Sequence, residues 1–390
     1  MVEGRVRARS IFGGGKQKLI VDSFGGARAD AGSLESNVTE KNSNSMQRAL
    51  RIGPACYHAL HLTVLMAAHE MNFLYDEGLQ DQAGRENYEI IPHGLAPFGF
   101  EKTTLAQAMK DKEVHIATDV QPRTALYLSS QGEDCCVIAG WRNNRGRTLV
   151  AKREVKRLED LRGKRIGISD TGDNHHLLLT YWFRQAGLDP ESDVQWITGI
   201  GPESRLTSLI ERRIDAGLVT HGQDHNAELQ EAGLAVLQDF SSAYPNGRPD
   251  RVIVSSNRVV EERRDEVKAF LRAILRTYWF VRDVRNFFYF QNLERRLRRQ
   301  SPNHFEQVRP VHAKSLEWME KHQAYPIDGL ATGLEEYAKE MVALGDVKKI
   351  NLEKVLRQDL MREAFQELSA RAEIKAELER AREVVQRIGY

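Results

Sequence analysis

The chain is poor in cysteine. It has three in 390 residues, and two of them, Cys135 and Cys136, are adjacent. Three thiols cannot build a disulfide framework, so the small secreted scaffolds are excluded and nothing argues for an oxidising compartment. Long apolar runs are missing as well: no segment approaches the roughly 20 uninterrupted apolar residues that a membrane-spanning helix needs. Neither sign of charge is in excess, since 56 basic and 55 acidic residues leave a net +1. That removes the global electrostatic reason to expect nucleic acid as a partner, and the basic run "ERRLRRQ" (294–300) lacks the interleaved aromatics that would revive it. The strong chemical motifs are absent too. With no phosphate-binding loop, dinucleotide fingerprint, "HExxH", "GxSxG" or paired "CxxC", neither a cofactor nor a metal is expected.

The opening "MVEGRVRARSIFGGGKQKL" is basic, but no apolar stretch of secretory-signal length follows it. Gly13 to Ser45 is rich in Gly, Ser, Asn and Asp, the composition of a disordered leader, and Met46 is an alternative start. As written, the chain is expected in the cytoplasm; a misassigned start would allow the periplasm or the cell surface.

What is present begins near residue 47. Apolar strand-like runs alternate with amphipathic helices, the pattern of an α/β fold with parallel sheets. The strand candidates are "ALRIG", "YEIIPHG", "EVHIAT", "CCVIAGW", "TLVAK", "KRIGIS", "VQWITG", "IDAGLVT" and "RVIVSS". An internal echo, "LAQAMKDKEVHIATD" (105–119) against "LTSLIERRIDAGLVTH" (206–221), points to two similar lobes. The chain thus divides into a leader (1–46), lobe one (47–150), lobe two (151–250), a return to lobe one (251–285) and a helical C-terminal region (286–390). Val259 to Asp283 reads as one long amphipathic helix. The closing run "AFQELSARAEIKAELERAREVVQRIG" is charged on most faces and is expected to be a solvated helix.

In open parallel sheets, ligands bind beyond the carboxyl ends of the strands, where helix N-termini offer free N–H groups. That rule selects Cys56, Tyr57 and His58 after the first strand, and His93 with "GLAPFGFEKTT", including Phe98, after the second. It selects Asp119 after the third, "DTGDNHH" (170–176) after "KRIGIS", and Thr220 and His221 after "IDAGLVT". His115 falls at the start of its strand, where Asp215 stands in the echo, and is expected away from the cleft. Cys135 and Cys136 begin a strand and are expected to be buried structural thiols.

Two of these loops leave alternatives open. "SDTGDNHHLLLTYWF" is either an ordinary capped helix or an anion cradle, in which Thr171, Asn174 and His175 join backbone N–H groups around a carboxylate, sulfonate or phosphate. Asp170 and Asp173 fit a highly charged anion only if they point away. Cys56, with His58 and His61, reads as a metal site, as a nucleophile activated by a helix N-terminus and His58 or His93, or as a packed residue of a binding loop. The metal reading is the weakest of the three, because one strand–helix junction seldom orients three ligands.

"RIGPACYHALHLTVLMAAHEMNFLYDEGL" and "VKRLEDLRGKRIGISDTGDNHHLLLTYWFRQAGLDPESDVQWITG" together resemble the nitrate/taurine/alkanesulfonate substrate-binding proteins, which share their fold with the thiamine-pyrimidine synthases. "RLTSLIERRIDAGLVTH" and "DEVKAFLRAILRTYWFVRD" extend the likeness over roughly Gln47 to Asp283. The resemblance implies a two-lobed periplasmic-binding-protein fold closing on a small organic anion, an aromatic acid or sulfonate, that is passed to a permease of the ATP-binding-cassette (ABC) class. The pocket positions it implies are Tyr57, His58, His93, Phe98, Asp119, Thr171, Asp173, Asn174, His175, Thr220 and His221. The alternative it carries is a cytosolic decarboxylase or desulfinase of an aromatic acid, with Cys56 as nucleophile and His58, His93 or Arg123 beside it. The cysteine-rich iron motif of the synthases is absent, so that activity is not expected.

Overall fold

In the computed structural model, which describes residues 49–55, 59–91, 102–143, 147–220, 226–283, 286–300, 325–374 and 376, the strands gather into two five-stranded sheets. The first contains β1 (Leu50–Pro54), β2 (Tyr88–Ile90), β3 (Ile116–Val120), β4 (Cys136–Asn143) and, from far downstream, β10 (Pro249–Ser255), in the order β2-β1-β3-β10-β4. The second contains β5 (Arg147–Lys152), β6 (Arg165–Gly167), β7 (Gln195–Ile197), β8 (Ala216–Thr220) and β9 (Leu234–Asp239), in the order β7-β6-β8-β5-β9. The two orders are equivalent.

The expectation of parallel sheets needs correcting. In each sheet one strand runs against the rest: β10 is antiparallel to β3 and β4, and β5 is antiparallel to β8 and β9. Both are the strands that have just crossed from the other lobe. A chain leaving β4 at its carboxyl end enters the second sheet at that sheet's carboxyl ends, so it must run opposite to its neighbours. Thr148 to Val150, grouped with lobe one by the sequence pattern, pair with β8 and β9 in the second sheet. β9 has no counterpart among the expected strands; it is an edge strand, mostly half-buried, and its sequence "LAVLQD" lacks the continuous apolar run of a central strand.

Alternation along the strands sorts side chains onto two faces. In β4, Cys136, Ile138 and Trp141 join one cluster and Val137 the other; in the second sheet Leu149 and Ala151 face one cluster and Val150 the opposite one. Lobe one carries α1 (Ala59–Glu70), α2 (Phe73–Asp76), α3 (Lys102–Lys110) and α4 (Pro122–Ser130), and lobe two carries α5 (Asn174–Gln185), α6 (Pro202–Ile210), α7 (Asn226–Glu231) and α8 (Phe240–Ala243). After β10 come α9 (Asn257–Glu262), α10 (Arg264–Arg282), α11 (Phe287–Gln300), α12 (Leu334–Ala343), α13 (Leu352–Val355) and α14 (Asp359–Ala370).

The single long helix expected from Val259 is two helices, α9 and α10. The break falls at Arg263, whose guanidinium reaches back to the Ala49 carbonyl and His115 Nδ1, both at 3.1 Å, and to Glu266 at 2.8 Å. α10 lays Val267, Phe270, Leu271, Ile274, Leu275 and Tyr278 into the lobe-one core, each contributing about 1.5–3 kcal/mol of burial.

The C-terminal region is not the solvated helix its charge suggested, as far as Ile374. Leu360, Met361, Ala364, Leu368 and Ile374 are buried in the same core as α10. Glu77, fully buried, accepts from Arg272 and Arg276 of α10 and from Arg371 just past α14. Gly140 N–H donates to the Gly329 carbonyl (2.8 Å) and Arg357 N–H to the Val137 carbonyl (2.9 Å), which covers the otherwise open edge of β4.

Candidate functional site

Because β5 and β10 run against their neighbours, their first residues lie at the carboxyl ends of the other strands. Pro249 pairs with Asn143, Arg251 with Arg142, and Arg147 with Thr220. The carboxyl-end edges of the two sheets therefore meet where the chain crosses between lobes. There, three arginines surround one carboxylate. Asp250, 2% exposed, accepts from Arg142 at 2.5 and 2.9 Å, from Arg251 at 3.3 Å, and lies 3.8 Å from Arg147. Burial alone would raise the Asp250 pKa, but Arg142, Arg251 and Arg147 hold it well below the usual carboxylate range. Arg147 shows the opposite imbalance. Burial first, then Arg142, Arg205 and Arg251, bring it down to about 10 against the pull of Asp250.

Asp119 sits beside it, buried, with its carboxylate 3.7 Å from Arg251 Nε. Its φ of 59° lies in the left-handed region, which aspartate tolerates better than most residues.

The loop before α5 resolves residue by residue. Asp173 is the N-cap, accepting from His176 N–H at 2.7 Å, and Asp170 accepts from Thr171 N–H at 2.8 Å. Both carboxylates are thus turned onto their own loop. Thr171 is exposed. Gly172, with a φ of 82°, donates to His176 Nδ1 at 2.9 Å, and the His176 ring stands edge-on to Trp196. Asn174 is buried and held by the protein on both sides. Its Nδ2 donates to Asp250 (3.1 Å), and its Oδ1 accepts from Arg248 (3.0 Å) and from the Tyr337 hydroxyl (2.8 Å).

His175 differs from all of these. It is 8% exposed, and its Nδ1 lies 3.2 Å from Arg205 Nη1. Arginine has no acceptor, so Nδ1 must accept. Burial first, then Arg147 and Arg205, hold its pKa well below the ordinary histidine value, so the ring is neutral and its one proton is on Nε2. That buried N–H has no acceptor among the described residues. An unmatched buried donor costs about 1–3 kcal/mol, which an incoming oxygen would recover. Arg205, fully buried on α6, is itself fixed by the Ile200 and Leu218 carbonyls (3.2 and 3.1 Å) and by Ser169 Oγ (3.0 Å).

Several expected residues lie outside the described part of the chain: Cys56, Tyr57, His58, His93, Phe98 and His221. Thr220 ends β8, and His61 lies on α1, with neither side chain described. Arg123, named as a partner for Cys56, donates to the Gly172 carbonyl (3.1 Å) and to Asp346 (2.8 Å). Tyr244 packs on Trp182 and Phe240 in the lobe-two core. Cys135 and Cys136 are buried, and burial pushes the Cys135 thiol up to about 12. No group of three or more His, Cys, Asp or Glu able to hold a metal occurs among the described residues. No described helix is long and apolar enough to cross a membrane. Sequence reasoning missed Arg142, Arg147, Arg205, Arg248, Asp250 and Arg251. Five of them, all but Arg205, flank the two crossings, and the carboxyl-end rule extends to them once β5 and β10 are known to be reversed.

With the geometry in place, comparison with known proteins gives a consistent picture. Residues 98–283 match the family described as NMT1/THI5 like. No curated protein matches the chain. Among solved structures, the periplasmic aliphatic sulphonate binding protein SsuA from Escherichia coli aligns with a TM-score of 0.53 at 15% identity, over 80% of this chain and 99% of its own. A putative sulfonate ABC transporter protein, SsuA from Methylobacillus flagellatus, gives 0.55 at 14% identity, over 83% and 96%. The periplasmic nitrate-binding protein NrtA from Synechocystis gives 0.53 at 13% identity, over 84% and 90%. At these identities the structures speak for the two-lobed fold.

Proposed function

We propose that the chain is a substrate-binding protein of the nitrate-, taurine- and sulfonate-type family, and that it captures a small sulfonate-like anion between its lobes for delivery to an importer of the ABC class. The observation that carries this reading is His175. Its buried Nε2–H has no acceptor among the described residues, and Arg147, Arg205 and Arg251 lie close enough to add to the effect of burial in depressing its pKa. An oxyanion head group satisfies both at once, accepting the N–H and offsetting the charge. Lobe two supplies His175 and Arg147, lobe one supplies Arg142 and Arg251, so closure on a ligand is the binding step and no covalent chemistry is needed.

Two proteins of the same fold are named for sulfonate and nitrate binding, which is why those head groups come first. The aromatic-acid form of the expectation has no described residue behind it: Tyr57 and Phe98 lie outside the described residues. The test is a thermal-shift screen of the full chain against methanesulfonate, taurine, nitrate, benzoate and phosphate, with mass spectrometry of each mixture. Stabilisation by a sulfonate recovered intact supports the reading. No shift with any of the five contradicts it, and a hit returned without its sulfonate or carboxylate group would replace it with catalysis.

A further inference from the structure

The family match ends at residue 283, yet a later segment touches the site at three points. The Tyr337 hydroxyl on α12 donates to Asn174 Oδ1 at 2.8 Å. Glu340, one turn on, takes Arg248 in a two-point pair of 2.6 to 3.1 Å, both side chains at most 4% exposed. Asp346, just past the helix, accepts from Arg123 at 2.8 Å, and Arg123 donates onward to the Gly172 carbonyl at 3.1 Å.

These contacts form two connected paths. One runs from α12 through Asn174 to Asp250 and so to the arginines around it. Arg248 reinforces it, donating to the same Asn174 oxygen while its guanidinium lies 4.0 Å over the Tyr337 ring. The other runs from Asp346 through Arg123, on lobe one, to the α5 loop, on lobe two. The fit between α12 and the return crossing is tight. A Cβ added at Gly333, whose φ is 80°, would lie 1.9 Å from the Gly247 carbonyl oxygen.

We infer that α12 is a positioning element of the anion site. Through Tyr337 and Glu340 it fixes Asn174 and Arg248, and through Asp346 and Arg123 it clasps the α5 loop against lobe one. His175, the next residue after Asn174, is held by the same contacts. Opening the lobes requires breaking the Arg123–Gly172 link, so the C-terminal region sets how readily the site opens. The clasp belongs to the protein without ligand; only its effect on affinity rests on the anion reading.

The experiment uses the full chain with Tyr337→Phe, Asp346→Asn and both together, followed by hydrogen exchange and by calorimetric titration with methanesulfonate. Tyr337→Phe keeps the ring and its packing and removes only the hydroxyl. Amide exchange across residues 171–178 is expected to rise about three- to tenfold per lost bond, and by more than exchange in β5 and β8, while the urea midpoint falls by no more than that one bond contributes. Methanesulfonate affinity should fall by a similar factor, which a merely structural role would not produce. Unchanged exchange at 171–178 in Tyr337→Phe and Asp346→Asn overturns the clasp, whatever the ligand result. If exchange rises but the unaltered protein binds no methanesulfonate, the clasp stands and the anion reading falls. Should the double variant fail to fold, the single variants decide.

Discussion

The two ends of the sheets use charge differently. At the amino ends each charge is answered locally. Asp215, just before β8, accepts the Arg165 N–H at 2.9 Å, the Arg165 guanidinium at 3.0 Å, and Lys152. His115 occupies the same place before β3, with its Nδ1 accepting the Arg51 N–H at 2.9 Å and Arg263 at 3.1 Å. In both lobes the residue also donates its own N–H to the first strand, at 2.7 and 2.9 Å. These are struts. At the carboxyl ends the His175 Nε2–H has no acceptor among the described residues, and burial with neighbouring arginines lowers the Arg147 pKa.

The sharpest way to break that comparison is Asp215→Ala. It leaves Lys152 and Arg165 without their carboxylate and should cost about 2 kcal/mol, read from the urea midpoint, through loss of hydrogen bonds to a charged group whose cationic partners reach solvent. Methanesulfonate affinity should stay within about twofold, because the strut lies far from the arginine cluster. His175→Ala should do the reverse, weakening methanesulfonate about tenfold or more in calorimetry through loss of one buried hydrogen bond to a charged group. Its stability should move less than that of Asp215→Ala. A large stability loss with unchanged affinity would make His175 another strut.

Acid titration separates the ends more gently. His115 is pressed down to about 4 by burial and then by Arg263 and Arg51. A depressed histidine contributes stability that is complete above its unfolded pKa near 6.5, and that stability is lost as pH falls from there towards 4. His115→Asn should flatten that part of the pH–stability curve; an unaltered slope would assign it elsewhere. Burial first, then Arg147 and Arg205, hold His175 well below the ordinary histidine value, so methanesulfonate affinity should be flat between pH 8 and 6. A rise in affinity with a midpoint near 6.5 would show the ring charging. Cys56→Ser is the smallest expected effect. A binding protein should keep its affinity within about twofold, and a loss of turnover would mark an enzyme.

How much of this could be read from the sequence follows from which interactions are local. The strands and the two-lobe echo were legible because apolar periodicity is a local signal, and His115 and Asp215 do stand in equivalent places. The turn at Gly172 and the cap at Asp173 were legible for the same reason. What Asn174 and His175 each face was not. Neighbours in sequence, they diverge because Asn174 meets partners 76 and 163 residues away, Asp250 and Tyr337. Arg142 and Arg251 escaped notice because the carboxyl-end rule presumes parallel strands, and strand direction is a tertiary fact. The charged face of α14 misled in the same way, since Glu363 and Glu367 pair with Arg264 and Lys268 of α10 rather than with water alone.

The central claim is that an oxyanion completes His175 among the arginines. The most direct test is calorimetric titration of the full chain and of His175→Ala with methanesulfonate at pH 7. The account predicts one site in the unaltered protein and at least tenfold weaker binding in the variant. No binding to the unaltered protein, or equal affinity in the two, would contradict it.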